Sequence, residues 1–222
     1  MKTSVALIAL AAAAVTASPA MAQANSEPFS GARIGVEAGY DHLRSGSSVD
    51  NDTSRDLKQS IDGVEYGATI GYDAAVSPNW RIGAEASLAD SSAKWDNNNG
   101  VPNTFNLGHV QADRDIYVGG RIGYVTSPKT MIYVKGGYTN TRFGLEGTDG
   151  TVSATQHLDA DGYRLGAGVE YAITPSAYIG AEYRYSHYTN AKFNFEGNTP
   201  DSSSFNIDTD RHQVVATAGF RF

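Results

Sequence analysis

The most constraining feature of this chain is an alternation of apolar with polar or small residues that continues to its last position. From Val214 onward every second side chain is apolar: Val214, Ala216, Ala218, Phe220 and Phe222. The alternate positions hold Gln213, Thr217, Gly219 and Arg221, and Val215 is the exception. Because successive side chains of a strand point to opposite faces, this pattern predicts a β-strand between an apolar and a polar medium.

Seven earlier segments have the same alternation, although the fifth of them is less regular. They are 31–41, 64–76, 80–89, 115–125, 131–141, 162–172 and 177–187. Each is about as long as the ~9–11 residues with which a tilted strand crosses a bilayer. Beyond residue 22 no stretch of the sequence approaches the ~20 apolar residues of a membrane helix. If the protein lies in a membrane, the sequence therefore predicts that strands cross it.

The connections between these segments are of two kinds. Three are short and contain Pro78, Pro128 or Pro175. The other four are long and polar: 42–63, 90–113, 142–161 and 188–209. Bacterial outer-membrane barrels have short turns on the periplasmic side and long loops outside. The sequence therefore predicts an all-β fold, an eight-stranded antiparallel transmembrane up-and-down β-barrel in the cell outer membrane.

A soluble up-and-down barrel of the lipocalin type is the alternative fold. Such a barrel would bury its apolar face and expose the charged one. In most segments the second face holds Gly, Ser and Thr as well as charges, which suits a crowded interior better than a solvated surface. Aromatic residues also lie near the segment ends, where a membrane barrel has its interfacial girdles. Both observations favour the membrane barrel.

The face that we expect to point inward is charged and balanced. Its seven cations are Arg33, Arg81, Arg121, Lys135, Arg164, Arg184 and Arg221. Its seven anions are Glu37, Glu65, Asp73, Glu85, Asp115, Glu170 and Glu182. An eight-stranded barrel has an interior just wide enough for side chains to fill, so charges inside it must pair. We expect a polar plug; a narrow channel, or a gate that opens by exchange of ion-pair partners, is the alternative.

The N-terminus predicts export. Lys2 precedes an apolar core from Val5 to Val15, and Ala20-Met21-Ala22 fits the small-x-small cleavage pattern. We expect a signal peptide at 1–22 and an outer-membrane barrel domain at 23–222, with a net charge that goes from −7 to −8 when Lys2 is lost. An acidic exported chain without a basic stripe argues against nucleic acid as a partner. The lack of cysteine excludes a disulfide scaffold and cysteine-bound metal.

Two consecutive segments carry a family resemblance. They read Gly162-Tyr163-Arg164-Leu165-Gly166-Ala167-Gly168-Val169-Glu170-Tyr171 and, after a Thr-Pro turn, Tyr178-Ile179-Gly180-Ala181-Glu182-Tyr183-Arg184-Tyr185. With Ile70-Gly71-Tyr72, Val134-Lys135-Gly136-Gly137-Tyr138 and Gly219-Phe220-Arg221-Phe222, they resemble the small outer-membrane β-barrel proteins of alphaproteobacteria, often labelled porin-family or opacity-like. The resemblance spans essentially the whole mature chain. It implies roles in envelope integrity, surface interaction and sometimes small-solute passage, and it brings no catalytic residues.

Histidines and acidic stretches are the remaining candidates for chemistry. His42, His187 and His212 stand at the ends of segments that neighbour one another in a closed barrel, so they could share a metal, although hydrophilic lip residues are the simpler interpretation. Asp50-Asn51-Asp52 and Asp96-Asn97-Asn98-Asn99 could bind divalent cations that bridge to lipopolysaccharide phosphate. Neither stretch has the spacing of a calcium loop, and solvated loops are the better interpretation.

One short segment raises the possibility of an enzyme. His187-Tyr188-Thr189-Asn190 resembles the His-x-Ser-Asn segment of outer-membrane lipid A deacylases, with Thr189 in place of the serine nucleophile. Asp201 or Glu196 would have to orient the histidine. The match is short, and the substituted nucleophile weakens it further.

We therefore predict a non-enzymatic outer-membrane barrel with a structural and surface-interaction role in the Gram-negative envelope, and no catalytic, cofactor-binding or metal site. The alternatives are a narrow porin-like channel for small solutes and a lipid A-modifying hydrolase. The expected partners are outer-membrane lipids, lipopolysaccharide, and host or surface ligands at the long loops. The barrel assembly machinery is a further expected partner, because a chain that ends on Phe222 resembles the C-terminal signal that this machinery reads.

Overall fold

The computed structural model describes residues 28–45, 59–92, 94–96, 106–148, 153–194 and 202–222. These residues form nine strands: β1 (Gly31–Ser45), β2 (Gln59–Ala75), β3 (Trp80–Ser91), β4 (Lys94–Asp96), β5 (Asn106–Ser127), β6 (Thr130–Thr148), β7 (Ser153–Ala172), β8 (Ala177–Asn194) and β9 (Phe205–Arg221). No helix in these ranges is long and apolar enough to cross a membrane. The predicted signal peptide, 1–22, lies outside the described residues.

The sheet is antiparallel throughout and closes on itself. Neighbouring strands pair in the order β3, β2, β1, β9, β8, β7, β6 and β5, and a β3–β5 pairing completes the circle. The first and last strands pair from Arg33 with Arg221 to Ser45 with Thr209. Because β4 pairs with β5 beyond the point where β3 ends, β3 and β4 occupy one position in the barrel. The predicted eight-stranded barrel is confirmed; its third position holds β3, which ends at Ser91, and β4, which begins at Lys94.

The barrel is apolar outside and polar inside. Val36 and Val214 on the outer face are 55% and 57% exposed, whereas their neighbours Glu37 and Gln213 are buried. Large apolar side chains on every wall of the barrel have comparable exposure. A soluble barrel has the reverse arrangement, so the lipocalin-type alternative is excluded and the membrane barrel is confirmed.

The strands extend further than the sequence predicts at the end opposite the short turns. β1 continues to Ser45 and β2 begins at Gln59, while β6 continues to Thr148 and β7 begins at Ser153. The bounds predicted for the four long connections were therefore wrong: 42–63, 90–113, 142–161 and 188–209. Outside the bilayer no apolar medium faces the outer wall, so the alternation that identifies a membrane strand is lost although the backbone pairing continues.

The three short connections are tight turns at one end of the barrel, as predicted. Short hydroxyl side chains close two of them: Ser77 Oγ accepts from Trp80 N at 3.2 Å, and Thr174 Oγ1 accepts from Ala177 N at 2.8 Å. The chain ends beside them, where Phe222 N donates to the Ala32 carbonyl at 2.8 Å. Short turns face the periplasm in bacterial barrels, so we name this the periplasmic end and its opposite the outer end.

An apolar cluster lies at each end of the interior. The outer cap consists of Leu43, Phe143, Ala160, Tyr188 and Ala191, against which Leu158 and Ile207 pack. The periplasmic cap consists of Phe29, Val125, Met131 and Tyr133, against which Ala172 packs. Sequence reasoning missed both caps, because each assembles from residues of several strands. The charged interior lies between them.

The periplasmic cap depends on a turn that precedes β1. Phe29 has a φ of 62°, in the left-handed region, and its side chain is only 5% exposed. A non-glycine residue in this region is uncommon and needs support from its surroundings. Arg221 supplies that support, since its NH1 donates to the Phe29 carbonyl at 2.9 Å and its guanidinium lies 5.9 Å from the Phe29 ring centre. The turn thus holds an aromatic ring in the periplasmic mouth.

Candidate functional site

The charged interior is the first candidate site. All fourteen side chains predicted to point inward are buried. Sequence reasoning missed two more, Asp41 and Arg211, each with no exposed surface. Each is separated by an even number of residues from inward-facing positions of its own strand, β1 or β9. Because side chains of a strand alternate between its two faces, the same alternation extended toward the outer end predicts that both point inward. With these two, the described interior holds eight cations and eight anions.

Near the periplasmic end, two carboxylates are surrounded by guanidinium groups. Asp73 accepts from Arg33 at 3.2 Å, from Arg121 at 2.8 Å and from Arg221 at 2.9 Å. Glu170 accepts from Arg121 at 3.0 Å and from Arg221 at 2.6 Å. Because Arg121 and Arg221 each bridge both carboxylates, these groups form one closed cluster rather than separate pairs. Ionised partners give the strongest hydrogen bonds, so this cluster fixes five strands relative to one another.

Lys135 lies at the middle of the barrel. Its Nζ is 2.6 Å from Glu85 Oε1 and 2.7 Å from Glu182 Oε1. Glu85 also accepts from Arg33 NH2 at 2.5 Å, which connects it to the periplasmic cluster. Among the ion pairs of the described residues, Lys135 alone joins the periplasmic cluster to the charges of the outer half.

Arginines from β8 and β9 dominate the outer half. Arg184 contacts Glu37 at 2.6 Å and Glu65 at 2.9 Å, and it also contacts Glu182. Arg211 binds Asp41 through two donors, both at 2.7 Å. It also lies 3.4 Å from Glu65, so the two arginines are linked through one carboxylate.

Asp115 completes the outer half. It accepts from Arg164 NH2 at 2.7 Å and also from Arg211. The hydroxyl group of Thr141 donates to it at 3.2 Å. Thr141 is also 2.7 Å from the hydroxyl group of Tyr188, a member of the outer cap. The ion-pair network therefore ends in a hydroxyl contact with the apolar cap.

Fifteen of the sixteen buried charges form this single connected network along the barrel axis. The sixteenth, Arg81, has a different role. It donates to the carbonyl oxygens of Pro28 at 2.8 Å and Ser77 at 2.9 Å, and so ties the turn before β1 to the β2–β3 turn.

Tyrosine rings and a small cavity account for the remaining space. Lys135 Nζ lies 4.9 Å from the ring centre of Tyr117, and the Arg121 guanidinium lies 4.7 Å from that of Tyr133. A cavity of about 10 Å³ remains beside Glu182, enough for about one water molecule. Such an interior can hold paired charges apart from solvent.

The second candidate site is the outer wall where it leaves the bilayer. His42 and His212 are direct cross-strand partners on β1 and β9, and His187 lies on the adjacent β8, as predicted. All three side chains are partly exposed on the outside of the barrel. His42 Nδ1 is 2.7 Å from Asp62 Oδ1, and His187 Nδ1 is 2.9 Å from Asp210 Oδ1.

Each carboxylate on this wall is held by a tyrosine as well as a histidine. Tyr40 donates to Asp62, and this hydrogen bond, aided by His42, holds the pKa of Asp62 below its ordinary value. For Asp210, partial burial favours the neutral form, but hydrogen bonds from Tyr185 and His187 outweigh it and lower the pKa. No group of three or more His, Asp or Glu side chains in the described ranges is arranged to hold a metal ion.

The segment that resembles a deacylase motif lies on the same wall. Thr189 is exposed at a β-bulge of β8, and its hydroxyl accepts from Asn190 Nδ2 at 3.0 Å. The orienting acids suggested by the sequence, Asp201 and Glu196, lie outside the described residues. The structure instead places Asp210 against His187, a partner that sequence spacing did not suggest.

The acidic stretches that were considered for cation binding fall largely outside the described part of the chain. Asp50-Asn51-Asp52 lies outside it altogether. Asp96 ends β4, and 97–99 follow outside the described ranges. Cation binding by these stretches stays a hypothesis.

Comparisons with known proteins find similarity to outer-membrane proteins. The 31 kDa outer-membrane immunogenic protein of Brucella melitensis is 26% identical over 179 residues, covering 76% of this chain and 75% of that protein; the Brucella suis protein of the same name matches equally. Among solved structures, the attachment invasion locus protein Ail of Yersinia pestis has a TM-score of 0.48 at 14% identity, covering 87% of this chain and 100% of that one. OprG of Pseudomonas aeruginosa has a TM-score of 0.45 at 12% identity, covering 89% and 100%.

A family model described as "outer membrane protein beta-barrel domain" matches residues 8–222, nearly the whole sequence. Together with the lipid-facing outer wall, this match places the protein in the outer membrane. The resemblance to alphaproteobacterial barrels inferred from the sequence is confirmed. The chain therefore belongs to the outer membrane protein beta-barrel domain family.

Proposed function

We propose that this protein is a closed, non-catalytic barrel that strengthens the outer membrane and acts through its outer surface. The observation that carries the proposal is the interior, where fifteen paired charges form one network between two apolar caps. The cavity beside Glu182 within this network has room for about one water molecule. An ion crossing this interior would have to break several buried ion pairs, each of which costs a few kcal/mol to break.

Single-channel recording in a planar bilayer tests this proposal. The protein without residues 1–22 is refolded, and folding is checked by circular dichroism and by the mobility shift of the folded barrel in gel electrophoresis. We expect no steps of reproducible size across many insertions. A sixteen-stranded porin, prepared and recorded in the same way, is the positive control, since barrels of that size enclose an aqueous channel.

A narrow channel is the competing function, and the same recording decides between the two. Reproducible steps would contradict the closed barrel and make the lumen charges a selectivity filter. In that case Lys135→Gln, at the centre of the network, should change the cation-to-anion preference. Lys129→Gln is the matched control, because Lys129 is exposed in a periplasmic turn.

A lipid A-modifying hydrolase is favoured by one observation, the contact of His187 with Asp210 beside an exposed Thr189. Nucleophilic catalysis needs a hydroxyl activated by such an oriented histidine. Mass spectrometry of lipid A from cells that express the wild type, T189A or H187A distinguishes this function. Our proposal expects identical acylation in all three strains; a loss of acyl chains that requires both side chains would overturn it.

We also propose that residues 1–22 are removed during export and that the assembly machinery recognises the terminal Phe222. The support is the sequence pattern of the N-terminus and the exposed aromatic end of the last strand, where Phe222 is 46% exposed. N-terminal sequencing of the membrane-inserted protein should begin at Gln23. Phe222→Ser should lower the amount of inserted barrel in cells while leaving refolding in detergent unchanged.

A further inference from the structure

The outer half of the interior has more carboxylates than cations. Toward the periplasm and at the barrel centre, four cations face four carboxylates: Arg33, Arg121, Arg221 and Lys135 against Asp73, Glu85, Glu170 and Glu182. The described part of the outer half has three guanidinium groups and four carboxylates: Arg164, Arg184 and Arg211 against Glu37, Asp41, Glu65 and Asp115. We name these seven side chains the outer charge layer. With every member ionised, the layer would hold one uncompensated negative charge.

The sixteenth buried charge, Arg81, lies too far away to compensate this layer. Arg81 and Ser91 are ten residues apart on β3, and Ser91 is the cross-strand partner of Glu65. At about 3.3 Å per residue, roughly 30 Å of strand separates Arg81 from the level of Glu65. An isolated buried charge is costly, and a carboxylate in such a position takes up a proton instead.

Glu65 shares both of its guanidinium contacts with another carboxylate. One nitrogen of Arg184 donates to Glu65 at 2.9 Å and to Glu37 at 3.0 Å. One nitrogen of Arg211 lies 3.4 Å from Glu65, but it donates to Asp41 at 2.7 Å. Neither nitrogen is therefore available to Glu65 alone.

The other three carboxylates of the layer each have a donor that no second carboxylate shares. These unshared contacts run from Arg184 to Glu37 at 2.6 Å, from Arg211 to Asp41 at 2.7 Å and from Arg164 to Asp115 at 2.7 Å. Among the described residues, none gives Glu65 such a contact. Its side chain also has no exposed surface at which water could compensate a charge. Glu65 is thus the carboxylate of the layer that is least stabilised when ionised.

A buried amide group in the same layer lacks a partner. Gln213 has no exposed surface, and neither atom of its amide group has a hydrogen-bond partner among the described residues. Its cross-strand partners are Asp41 and Arg184, which are both members of the layer. A protonated carboxyl group is a hydrogen-bond donor, and an amide oxygen is an acceptor. A proton in this layer therefore supplies a donor where the recorded contacts leave an acceptor unused.

We propose that the outer charge layer is a proton-binding site in which Glu65 carries one proton at neutral pH. The proton leaves three carboxylates against three guanidinium groups, so the layer is electrically neutral. Further titratable groups face it from neighbouring strands: Glu182 and Tyr188 on β8, Tyr117 on β5, Lys135 on β6 and Glu85 on β3. In the unfolded chain glutamate releases its proton above about pH 4.3, so the stability that this site contributes falls as the pH rises.

Comparison of E65Q with E170Q tests the site. Glu170 is the matched control, because it is buried and contacts two guanidinium groups, Arg121 and Arg221, in the balanced part of the interior. Urea unfolding from lipid vesicles gives the unfolding equilibrium constant of each protein. At about pH 7 we expect E170Q to raise this constant about a hundredfold, because it leaves buried positive charge uncompensated. E65Q should not raise it, because glutamine then replaces a carboxyl group that is already neutral.

The pH dependence of the same measurement identifies the proton. The folded wild type should bind one proton more than its unfolded chain, whereas E65Q has no such difference. The unfolding constant of the wild type divided by that of E65Q should therefore rise about tenfold per pH unit between about pH 5.5 and pH 7. A ratio that does not change with pH would overturn the proposal. A ratio that changes with the potassium concentration instead would also overturn it, and would assign the layer to a monovalent cation.

Infrared spectroscopy observes the proton without unfolding the protein. At about pH 7 the refolded wild type should show the carbonyl stretch of a protonated carboxyl group. E65Q should lack this band, and E170Q should keep it. If the wild type has no such band, the layer holds no proton and the proposal fails. If the band persists in E65Q, the proton belongs to another group and the assignment to Glu65 is wrong.

Discussion

Replacing Lys135 by methionine tests whether the central ammonium group is what holds two carboxylates together. The substitution keeps an unbranched apolar stem. Among the described residues, it removes the one charge that contacts both Glu85 and Glu182. The two carboxylate oxygens lie at most about 5.3 Å apart, because they bind the same nitrogen at 2.6 Å and 2.7 Å. Two unit charges at this separation repel by about 3 kcal/mol at an effective dielectric constant of about 20.

Other hydrogen-bond donors to the two carboxylates reduce the loss of stability in K135M but do not abolish it. Glu85 keeps Arg33 at 2.5 Å, and Glu182 keeps Tyr133 at 2.7 Å, so neither carboxylate becomes an isolated buried charge. Breaking one side of a buried pair typically costs 3–5 kcal/mol, and these remaining bonds place K135M near the lower limit. We expect the free energy of unfolding to fall by about 3 kcal/mol.

Urea unfolding from lipid vesicles measures this change. Trp80 is 48% exposed on the outer wall, so its fluorescence reports transfer from lipid to water. K129M in the exposed periplasmic turn is the control and should unfold like the wild type. In K135M/E182Q the repulsion is absent, so about half of the lost stability should return. If K135M unfolds within about 1 kcal/mol of K129M, the network does not depend on its central cation and the reasoning is refuted.

Two further predictions concern a close packing contact and the outer wall. G137A would place its Cβ 2.3 Å from the Val118 carbonyl oxygen and should lower stability in the same assay by about 1–3 kcal/mol, whereas G120A, with its nearest atom at 3.7 Å, should be neutral. Y40F removes the largest cause of the lowered Asp62 pKa, so the Asp62 carboxyl should titrate at higher pH by ¹³C NMR. A lowered carboxyl pKa stabilises the fold above the unfolded-state pKa and ceases to do so as the pH falls through the folded-state pKa. Y40F should therefore weaken this contribution at neutral pH, and the difference from the wild type should disappear in acid.

The alternation in the sequence was sufficient to predict the membrane-spanning part of the barrel. Wherever a strand contacts lipid, every second residue must be apolar, and Val36, Ile122 and Val214 are exposed as that rule requires. The same alternation correctly predicted the fourteen charged side chains that point inward. Val215, the exception in the last strand, lies on the inward face and is 1% exposed. It packs where Gly39 on β1 leaves room for it.

The outer half of the barrel could not be predicted in the same way. Its residues do not face lipid, so nothing requires apolar side chains on its outer face. Leu43 and Phe143 are apolar but point inward, into the outer cap, so the pattern used for the membrane segments reverses there. A β-bulge at Thr189 shifts the parity of β8 once more. Contacts such as His187 with Asp210 depend on cross-strand register, which a single sequence does not fix outside the bilayer.

The turn that carries Phe29 has a consequence for the order of assembly. Its carbonyl oxygen is bound by Arg221 on the last strand, and the preceding Pro28 carbonyl is bound by Arg81 on the third. The Arg221 donor reaches its position only after the first and last strands have paired and the cylinder is complete. We therefore expect Phe29 to enter the mouth late in folding, after the first and last strands have paired. The time at which the Phe29 ring becomes protected from water would then report when the sheet closes into a barrel.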